Sequence, residues 1–265
     1  MTYNEILFDV RDHIATITLN REETRNALSD PMREELKDCI DRIHSHSGIR
    51  VVVITGAGKA FCAGADVRVM LDRIESGAPF QARRDAYDRR TGDLVRKFRS
   101  IRQPLIAAVN GDAVGAGCSI AVACDIRIAS DRTRMGLVFA KRGLSLDWGG
   151  AFFLPRLIGT ARTLELACTG RIIDAGSALH MGLVNAVVPH ADLETRVKEF
   201  CGEIARNAPL AVAAIKTATY CGASGDLSMA LEHEAYVQAM CEMPEDHREG
   251  ALAFVEKRQA VFKGK

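Results

Sequence analysis

Residues 105–155 constrain the fold of this chain more than any other stretch. Residues 105–109 (LIAAV) have the length and composition of a buried strand. The glycine-spaced turn GDAVGAG follows over 111–117, and the small apolar residues of 118–124 predict a buried helix behind it. Glycines allow close backbone approach, and a helix that begins there directs its unpaired N–H groups and its positive dipole end to one spot. We therefore predict a site for an oxygen that carries negative charge.

A second glycine-containing loop repeats this arrangement. Residues 51–54 (VVVI) predict a buried strand that leads into the loop over 56–66, and we expect a helix to begin near Asp66. The alternative is an ordinary tight turn in which Asp66 only caps the helix, and the loop by itself favours it. No Ser or Thr follows Lys59, so the sequence does not predict a nucleoside-triphosphate loop.

Asp147 is the candidate for proton transfer. It is the first acidic residue after Asp131, and it lies between Leu146 and Trp148. A carboxylate in apolar surroundings suits acid–base chemistry, because burial raises its pKa towards neutral. The alternative is a structural role as a helix cap before the glycines at 149–150, since Asp is a favoured N-cap residue.

Composition and motifs argue against several function classes. The chain has 35 Lys and Arg against 34 Asp and Glu, so the net charge of +1 predicts neither a nucleic-acid nor a membrane partner. Residues 68–103 mix both signs of charge, as a solvated helix face does. The 7 histidines lack ligand spacing and 111–117 lacks the dinucleotide fingerprint, so we expect no metal and no nicotinamide cofactor. The 8 cysteines form no C-x-x-C pair, and no export signal precedes them, which predicts a cytoplasmic protein.

The order of predicted elements indicates the fold class. Strands and helices alternate early and helices alone follow, which predicts an α/β core over 1–200 and a helical region over 201–265. We also expect a mobile helical segment from residue 68 that leads into a helix over 86–101, and a last helix over 246–262, which docks on the core or on a neighbouring subunit.

Several separate motifs resemble those of the enoyl-CoA hydratase/isomerase (crotonase) superfamily, in the same order along nearly the whole chain. The resemblance implies a core of repeated ββα units, a helical trimerisation region, acyl-CoA thioester substrates without a further cofactor, and a homotrimer or hexamer. The motifs are NAL (26–28), FCAGAD (61–66), IAAVNG (106–111), GAGC (115–118), CDI (124–126), GLV (182–184), EG (249–250) and AFVEKR (253–258).

The resemblance also assigns site residues. It implies that the N–H groups of Ala65 and Ala116 form an oxyanion hole. It places Phe254 and Lys257 of a neighbouring subunit near the nucleotide, where a cation suits the 3′-phosphate. The adenine and pantetheine parts of CoA are expected along Arg25, Ala27, Ala63, Ala65, Asp66 and Val67.

The departures from the family pattern are informative. Typical hydratases of this family carry two glutamates that activate a water, and Ser119 and Phe139 stand at those positions here. The segment over 143–150, followed by LPR (154–156), resembles the isomerase branch, which carries an aspartate at the place of Asp147. We therefore expect an isomerase with one base, and Ser119, Phe139 and Trp148 as substrate contacts. A hydratase with atypical residues, a catalytically idle CoA-binding protein and a dehalogenase-like nucleophilic aspartate remain alternatives.

Overall fold

Two β-sheets form the centre of the protein, seen here in a computed structural model that describes residues 3–265. One sheet has six strands and the other has four. In chain order the strands are β1 (Ile6–Arg11), β2 (Ile14–Leu19), β3 (Val51–Gly56), β4 (Ala60–Cys62), β5 (Leu105–Val109), β6 (Asp112–Val114), β7 (Ile126–Ser130), β8 (Arg134–Gly136), β9 (Ile172–Asp174) and β10 (Ala186–Val188).

Several of the helices follow pairs of strands. In chain order they are α1 (Asp30–Ser45), α2 (Val67–Glu75), α3 (Phe80–Tyr87), α4 (Asp93–Ser100), α5 (Ala116–Ala123), α6 (Gly150–Ile158), α7 (Thr160–Thr169), α8 (Ala175–Met181), α9 (Leu193–Ala205), α10 (Pro209–Ser224), α11 (Leu227–Glu242) and α12 (Glu245–Glu256). The pairs β1–β2, β3–β4 and β5–β6 each precede a helix, so the predicted ββα repetition is confirmed.

The larger sheet has the order β1-β2-β3-β5-β7-β10 and is parallel except for the antiparallel pair β1–β2. The smaller sheet has the order β4-β6-β8-β9, with β8 and β9 antiparallel. Because β3 and β5 run parallel, the loops that leave their carboxyl ends meet at one edge. Those loops are the two glycine-containing stretches that the sequence singles out, and they lead into β4 and β6.

Strand β3 is buried on both faces, which explains its unbroken apolar sequence. Val52 and Ile54 belong to the main apolar core, whereas Val51 and Val53 pack in a second cluster with Leu193 of α9. Helix α9 therefore covers the outer face of the larger sheet.

Helix α1 has a capped start and one buried face. The Ser29 hydroxyl caps it by accepting a hydrogen bond from the Met32 N–H at 3.0 Å. Leu36, Ile40 and Ile43 are fully buried along one stripe, as the helical spacing predicts.

The predicted helix over 86–101 is confirmed in its end, but it is not one regular α-helix. The chain is already helical at Phe80–Tyr87, passes through a π-helical turn at Asp88–Gly92, and continues as Asp93–Ser100. The wider turn inserts a residue into the helical register, and apolar periodicity does not reveal such an insertion.

The predicted last helix over 246–262 is too long. It ends at Glu256, and Lys257 adopts a left-handed conformation with φ of 54°. The carboxylate of Asp246 accepts hydrogen bonds from the backbone N–H groups of 263–264 at 2.7 and 2.8 Å, so the tail folds back over the start of the helix.

The last strand, β10, ends at Val188. The described residues after it form helices α9 to α12 and no further strand. Helix α9 crosses residue 200, and Cys201 and Ala205 pack with the outer cluster of the larger sheet. The assignment of 201–265 to oligomerisation stays a prediction. No helix within 3–265 is long and apolar enough to cross a membrane.

Candidate active site

The two glycine-containing loops lie in direct contact. A Cβ atom on Gly64, whose φ is 98°, would lie 2.8 Å from the Val114 carbonyl oxygen and 3.5 Å from the Ala116 nitrogen. A Cβ atom on Gly117 would lie 2.1 Å from the Cys62 carbonyl oxygen. Real side chains do not tolerate the distances of 2.8 and 2.1 Å, so glycine at both positions lets the start of α5 rest on the end of β4 and on the chain that follows it.

Two backbone N–H groups remain unpaired at this contact. Leu28 binds both neighbours of Ala65, donating to the Gly64 carbonyl at 2.8 Å and accepting from the Asp66 N–H at 3.2 Å. Within 3–265, neither Ala65 nor Ala116 donates a backbone hydrogen bond. Ala116 is also the first residue of α5, where the helix dipole favours negative charge. The arrangement can bind an oxygen that becomes negative.

The loop over 56–66 caps a helix and also presents an unpaired N–H group. Asp66 is the N-cap of α2, because its carboxylate accepts a hydrogen bond from the Arg68 N–H at 3.0 Å. Its other oxygen pairs with the Arg21 guanidinium at 3.2 Å. The capping role is thus confirmed, and the neighbouring Ala65 N–H is unpaired as well.

Asp147 is not a helix cap. Helix α6 has Gly149 at its N-cap position, and the Asp147 backbone carbonyl, rather than its side chain, accepts from the Gly150 N–H at 2.8 Å. The capping alternative is therefore wrong. Asp147 Oδ1 is buried and has no hydrogen-bond partner in the described chain. Trp148 beside it is 1% exposed and packs edge-on against Phe98, with ring centroids 6.4 Å apart.

Burial is the main influence on the Asp147 carboxyl. It raises the pKa from 3.8 to about 7, although the nearby Arg33 and Arg90 guanidiniums act in the opposite direction. The carboxyl group therefore changes protonation state near neutral pH, which suits proton transfer in both directions. The predicted rise in its pKa is confirmed in direction.

Ser119 and Phe139 lie near the start of α5, and neither side chain is a carboxylate. Ser119 is fully buried, and its Oγ has no partner within 3–265. A Cβ atom on Gly150 would lie 3.1 Å from that Oγ, which places Ser119 beside the start of α6. Phe139 lines a small cavity together with Ala65 and Ala116. The described residues hold no group of three or more His, Cys, Asp or Glu side chains placed for a metal ion.

Sequence comparison identifies the protein's relatives. A profile of the family described as Enoyl-CoA hydratase/isomerase matches residues 9–265. The chain belongs to this family. A short-chain-enoyl-CoA hydratase of Clostridium acetobutylicum is 37% identical over 263 residues, covering 98% of this chain and 97% of its own. A 1,2-epoxyphenylacetyl-CoA isomerase of Escherichia coli K12 is 34% identical over 261 residues, covering 98% of both chains.

A solved structure supports the same assignment for this enoyl-CoA hydratase/isomerase family member. The crystal structure of an enoyl-CoA hydratase from Bacillus anthracis has a TM-score of 0.92 and 38% identity, covering 99% of this chain and 100% of its own. The α/β crotonase fold is thereby confirmed. Both hydratases and an isomerase occur among these relatives, so the likeness leaves the reaction open.

The residues expected to bind CoA lie on two segments of the chain, which backbone hydrogen bonds join. The Arg25 carbonyl accepts a hydrogen bond from the Ala63 N–H at 3.0 Å, and the Ala27 carbonyl accepts one from Arg21 Nη1 at 2.7 Å. Val67 is exposed as the first residue of α2. Their role in binding CoA stays a prediction.

Phe254 and Lys257 lie at the end of α12 with exposed side chains, and Phe254 is 86% exposed. Their predicted contact with the nucleotide of CoA would be made across a subunit boundary, and it stays a prediction.

Two functional candidates, Arg33 and Arg90, were not predicted from the sequence. Arg33 is 3% exposed, and a signal for it exists, because it continues the buried stripe of Leu36 and Ile40 along α1. A charged residue on an apolar helix face requires a partner or a function. Arg90 had no such signal, since it lies in the π-helical turn at Asp88–Gly92.

Proposed function

We propose that this protein is an enoyl-CoA isomerase that moves a double bond by proton transfer through one base. The thioester carbonyl oxygen accepts hydrogen bonds from the N–H groups of Ala65 and Ala116. Asp147 takes a proton from a carbon of the acyl chain, and the electron pair of that C–H bond delocalises into a dienolate that ends on the thioester oxygen. Asp147 then returns the proton to the carbon two positions along, and the double bond has shifted without change in composition.

One observation carries this proposal, namely that Asp147 has a buried oxygen, Oδ1, without a hydrogen-bond partner, and that burial raises the pKa of its carboxyl group to about 7, which suits both removal and return of a proton. Water addition by the usual family route requires two carboxylates, and Ser119 and Phe139 stand in their places. A hydroxyl group beside an aromatic ring does not replace them.

The second candidate function is hydration by an atypical set of residues. The names of the Clostridium acetobutylicum and Bacillus anthracis relatives favour it, since both are called hydratases. A protein that binds CoA thioesters without catalysis is the third candidate, and a nucleophilic Asp147, as in a dehalogenase, is the fourth.

The first experiment follows 2-enoyl and 3-enoyl thioesters by mass spectrometry in deuterated water. We expect migration of the double bond with no gain of water, and hydration of crotonyl-CoA about 10²–10⁴-fold slower than that of a family hydratase with both glutamates. A fast 3-hydroxyacyl product supports hydration instead. Binding without any product supports the idle protein, and a trapped acyl-enzyme supports the nucleophile.

The pH dependence of isomerisation tests the role of Asp147 as a base. Only the ionised carboxylate accepts a proton, and its pKa is raised to about 7 by burial. We therefore expect kcat/KM to rise with pH through about 7 and to level off above it. A kcat/KM that stays constant between pH 5 and 9, roughly two pH units on each side of that pKa, contradicts the assignment of Asp147 as the base.

CoA itself belongs to the substrate in this proposal. Arg25, Ala27, Ala63, Asp66 and Val67 contact its adenine and pantetheine parts. The exposed end of α12 reaches a neighbouring subunit in a homotrimer or hexamer, where Phe254 and Lys257 approach the nucleotide.

A further inference from the structure

The unpaired N–H group of Ala65 lies at the end of a chain of hydrogen bonds that begins at a cation. Arg21 Nη1 donates to the Ala27 carbonyl oxygen at 2.7 Å. The Leu28 N–H belongs to the same peptide group as that carbonyl, and it donates to the Gly64 carbonyl oxygen at 2.8 Å. The Ala65 N–H belongs in turn to the same peptide group as the Gly64 carbonyl. Two hydrogen bonds and two peptide groups therefore connect the Arg21 guanidinium to the unpaired N–H.

Both hydrogen bonds of this chain have the same direction. A trans peptide group is planar, and its C=O and N–H bonds point to opposite sides. The donor that binds the Gly64 carbonyl therefore turns the Ala65 N–H away from Leu28, and Ala65 lines the small cavity together with Ala116. Hydrogen bonds in such a chain polarise one another, and a bond from an ionised donor is the strongest kind. The Ala65 N–H is thus a stronger donor than an isolated peptide group.

Two carboxylates hold the Arg21 side chain in this position. Asp66 Oδ2 lies 3.2 Å from Arg21 Nη1, and Glu5 Oε1 lies 3.4 Å from Arg21 Nε. Only 16% of the Arg21 side chain is exposed, so water competes little for its donors. The contact with the Ala27 carbonyl, at 2.7 Å, is shorter than either ion pair. Because the carboxylates offset the charge of Arg21 at longer range, its influence on Ala65 acts through the hydrogen-bonded chain.

The Ala116 N–H has a different source of positive potential. Ala116 is the first residue of α5, and the carbonyl of its peptide group, on Gly115, accepts a hydrogen bond from the Ser119 N–H at 3.1 Å. The dipole of α5 therefore acts on this N–H group. Ala65 precedes α2 and lies outside any helix, so no helix of its own supplies such a dipole. Arg21 fills that role for Ala65.

We propose that Arg21 is a positioning residue for the reaction, which orients and strengthens the Ala65 N–H through two intervening peptide groups. The acceptor is the thioester oxygen, and in this respect the inference rests on the proposed function. A polarised donor stabilises an oxygen that becomes negative more than it stabilises a neutral carbonyl oxygen. Loss of Arg21 therefore lowers kcat and leaves KM nearly unchanged.

The test measures the carbonyl stretching frequency of a bound thioester, which falls when the oxygen accepts stronger hydrogen bonds. The probe is hexanoyl-CoA with ¹³C at the thioester carbonyl, which has no double bond to move, and the method is difference infrared spectroscopy. In Arg21→Met we expect the frequency to return part of the way to its value in solution. We also expect kcat for double-bond migration to fall about 10-fold, which is less than the loss from removing an oxyanion-hole donor outright.

Arg50→Met is the matched control for this substitution. Arg50 also donates to backbone carbonyl oxygens, those of Ala205 and Phe262 at 2.9 and 2.7 Å, but it lies before β3, at the end of that strand opposite the glycine-containing loop. We expect it to lose stability and to keep the wild-type frequency and kcat. Arg21→Lys keeps a charged donor, and we expect it to restore part of the frequency shift and of kcat.

The frequency of the bound probe separates this inference from the proposed function. A wild-type frequency in folded Arg21→Met, or an equal change in Arg50→Met, overturns the role of Arg21 even if the enzyme isomerises thioesters. Should Arg21→Met not fold, Arg21→Lys decides, because a frequency equal to that of the wild type overturns the role and an intermediate one supports it. A shift that depends on Arg21 in a protein that moves no double bond supports the inference and rejects the isomerase.

Discussion

Asp147→Asn is expected to lower kcat/KM for double-bond migration by about 10²–10⁴-fold, the usual contribution of general acid–base catalysis. The amide has nearly the same shape as the carboxyl group but cannot accept a proton from carbon. Exchange of substrate hydrogen with deuterated water stops for the same reason. The measurement is steady-state kinetics on the best substrate of the enoyl thioester panel, with deuterium incorporation as a second readout.

The same substitution is expected to leave the fold intact, which distinguishes a catalytic role of Asp147 from a structural one. Because burial raises the pKa of Asp147 from 3.8 to about 7, the folded protein holds a proton in that range that the unfolded chain has already released. Stability therefore falls as pH rises through this window, and Asn removes the fall. We expect the melting temperature of Asp147→Asn to equal or exceed that of the wild type at pH 8.

A surface substitution serves as the matched control for Asp147. Asp192→Asn makes the same chemical change at an exposed position before α9, and we expect unchanged kinetics. If Asp147→Asn keeps full activity while its fold is unchanged, Asp147 is not the base, and the mechanism proposed above is wrong.

The sequence predicts the features that depend on local pattern. The unbroken apolar run of β3, the capped start of α1 at Ser29 and the glycine-spaced turn before α5 are all read from neighbouring residues, and the structure has each of them. Part of the surroundings of Asp147 is also local, because Leu146 and Trp148 flank it in the sequence.

Features made by approach of distant segments were not predictable. Arg33 of α1 and Arg90 of the π-helical turn at Asp88–Gly92 both act on the Asp147 carboxyl, and no spacing in the sequence relates Arg33 to Arg90. The fold-back of the tail onto Asp246 shortens the last helix by a tertiary contact. Helical periodicity reports which face of a segment is apolar, but it contains no information about which segment it meets.

Gly117→Ala is expected to damage both stability and catalysis, because α5 rests directly on β4 at this position. An added Cβ atom would lie 2.1 Å from the Cys62 carbonyl oxygen and 2.7 Å from its carbon, and backbone atoms cannot move aside as a side chain can. Relief requires α5 to withdraw from β4, which separates the Ala116 N–H from the Ala65 N–H. We expect a loss of about 1–3 kcal/mol in the free energy of unfolding and of about 10²–10³-fold in kcat.

Gly202→Ala is the matched control, since it makes the same change within α9, where the added Cβ atom would meet only Arg206 Nη1 at 3.7 Å. Alanine favours a helix over glycine by about 1 kcal/mol, so this variant is expected to be slightly more stable and fully active. At Gly117, too, alanine has the higher helix propensity and should stabilise the helix. A loss of stability in Gly117→Ala must therefore come from the contact with Cys62. Because Asp147 is untouched, a residual rate that still rises with pH through about 7 assigns the loss to the oxyanion hole. Wild-type kcat and stability in Gly117→Ala would show that α5 adjusts, and that the distance between the two N–H groups does not limit the reaction.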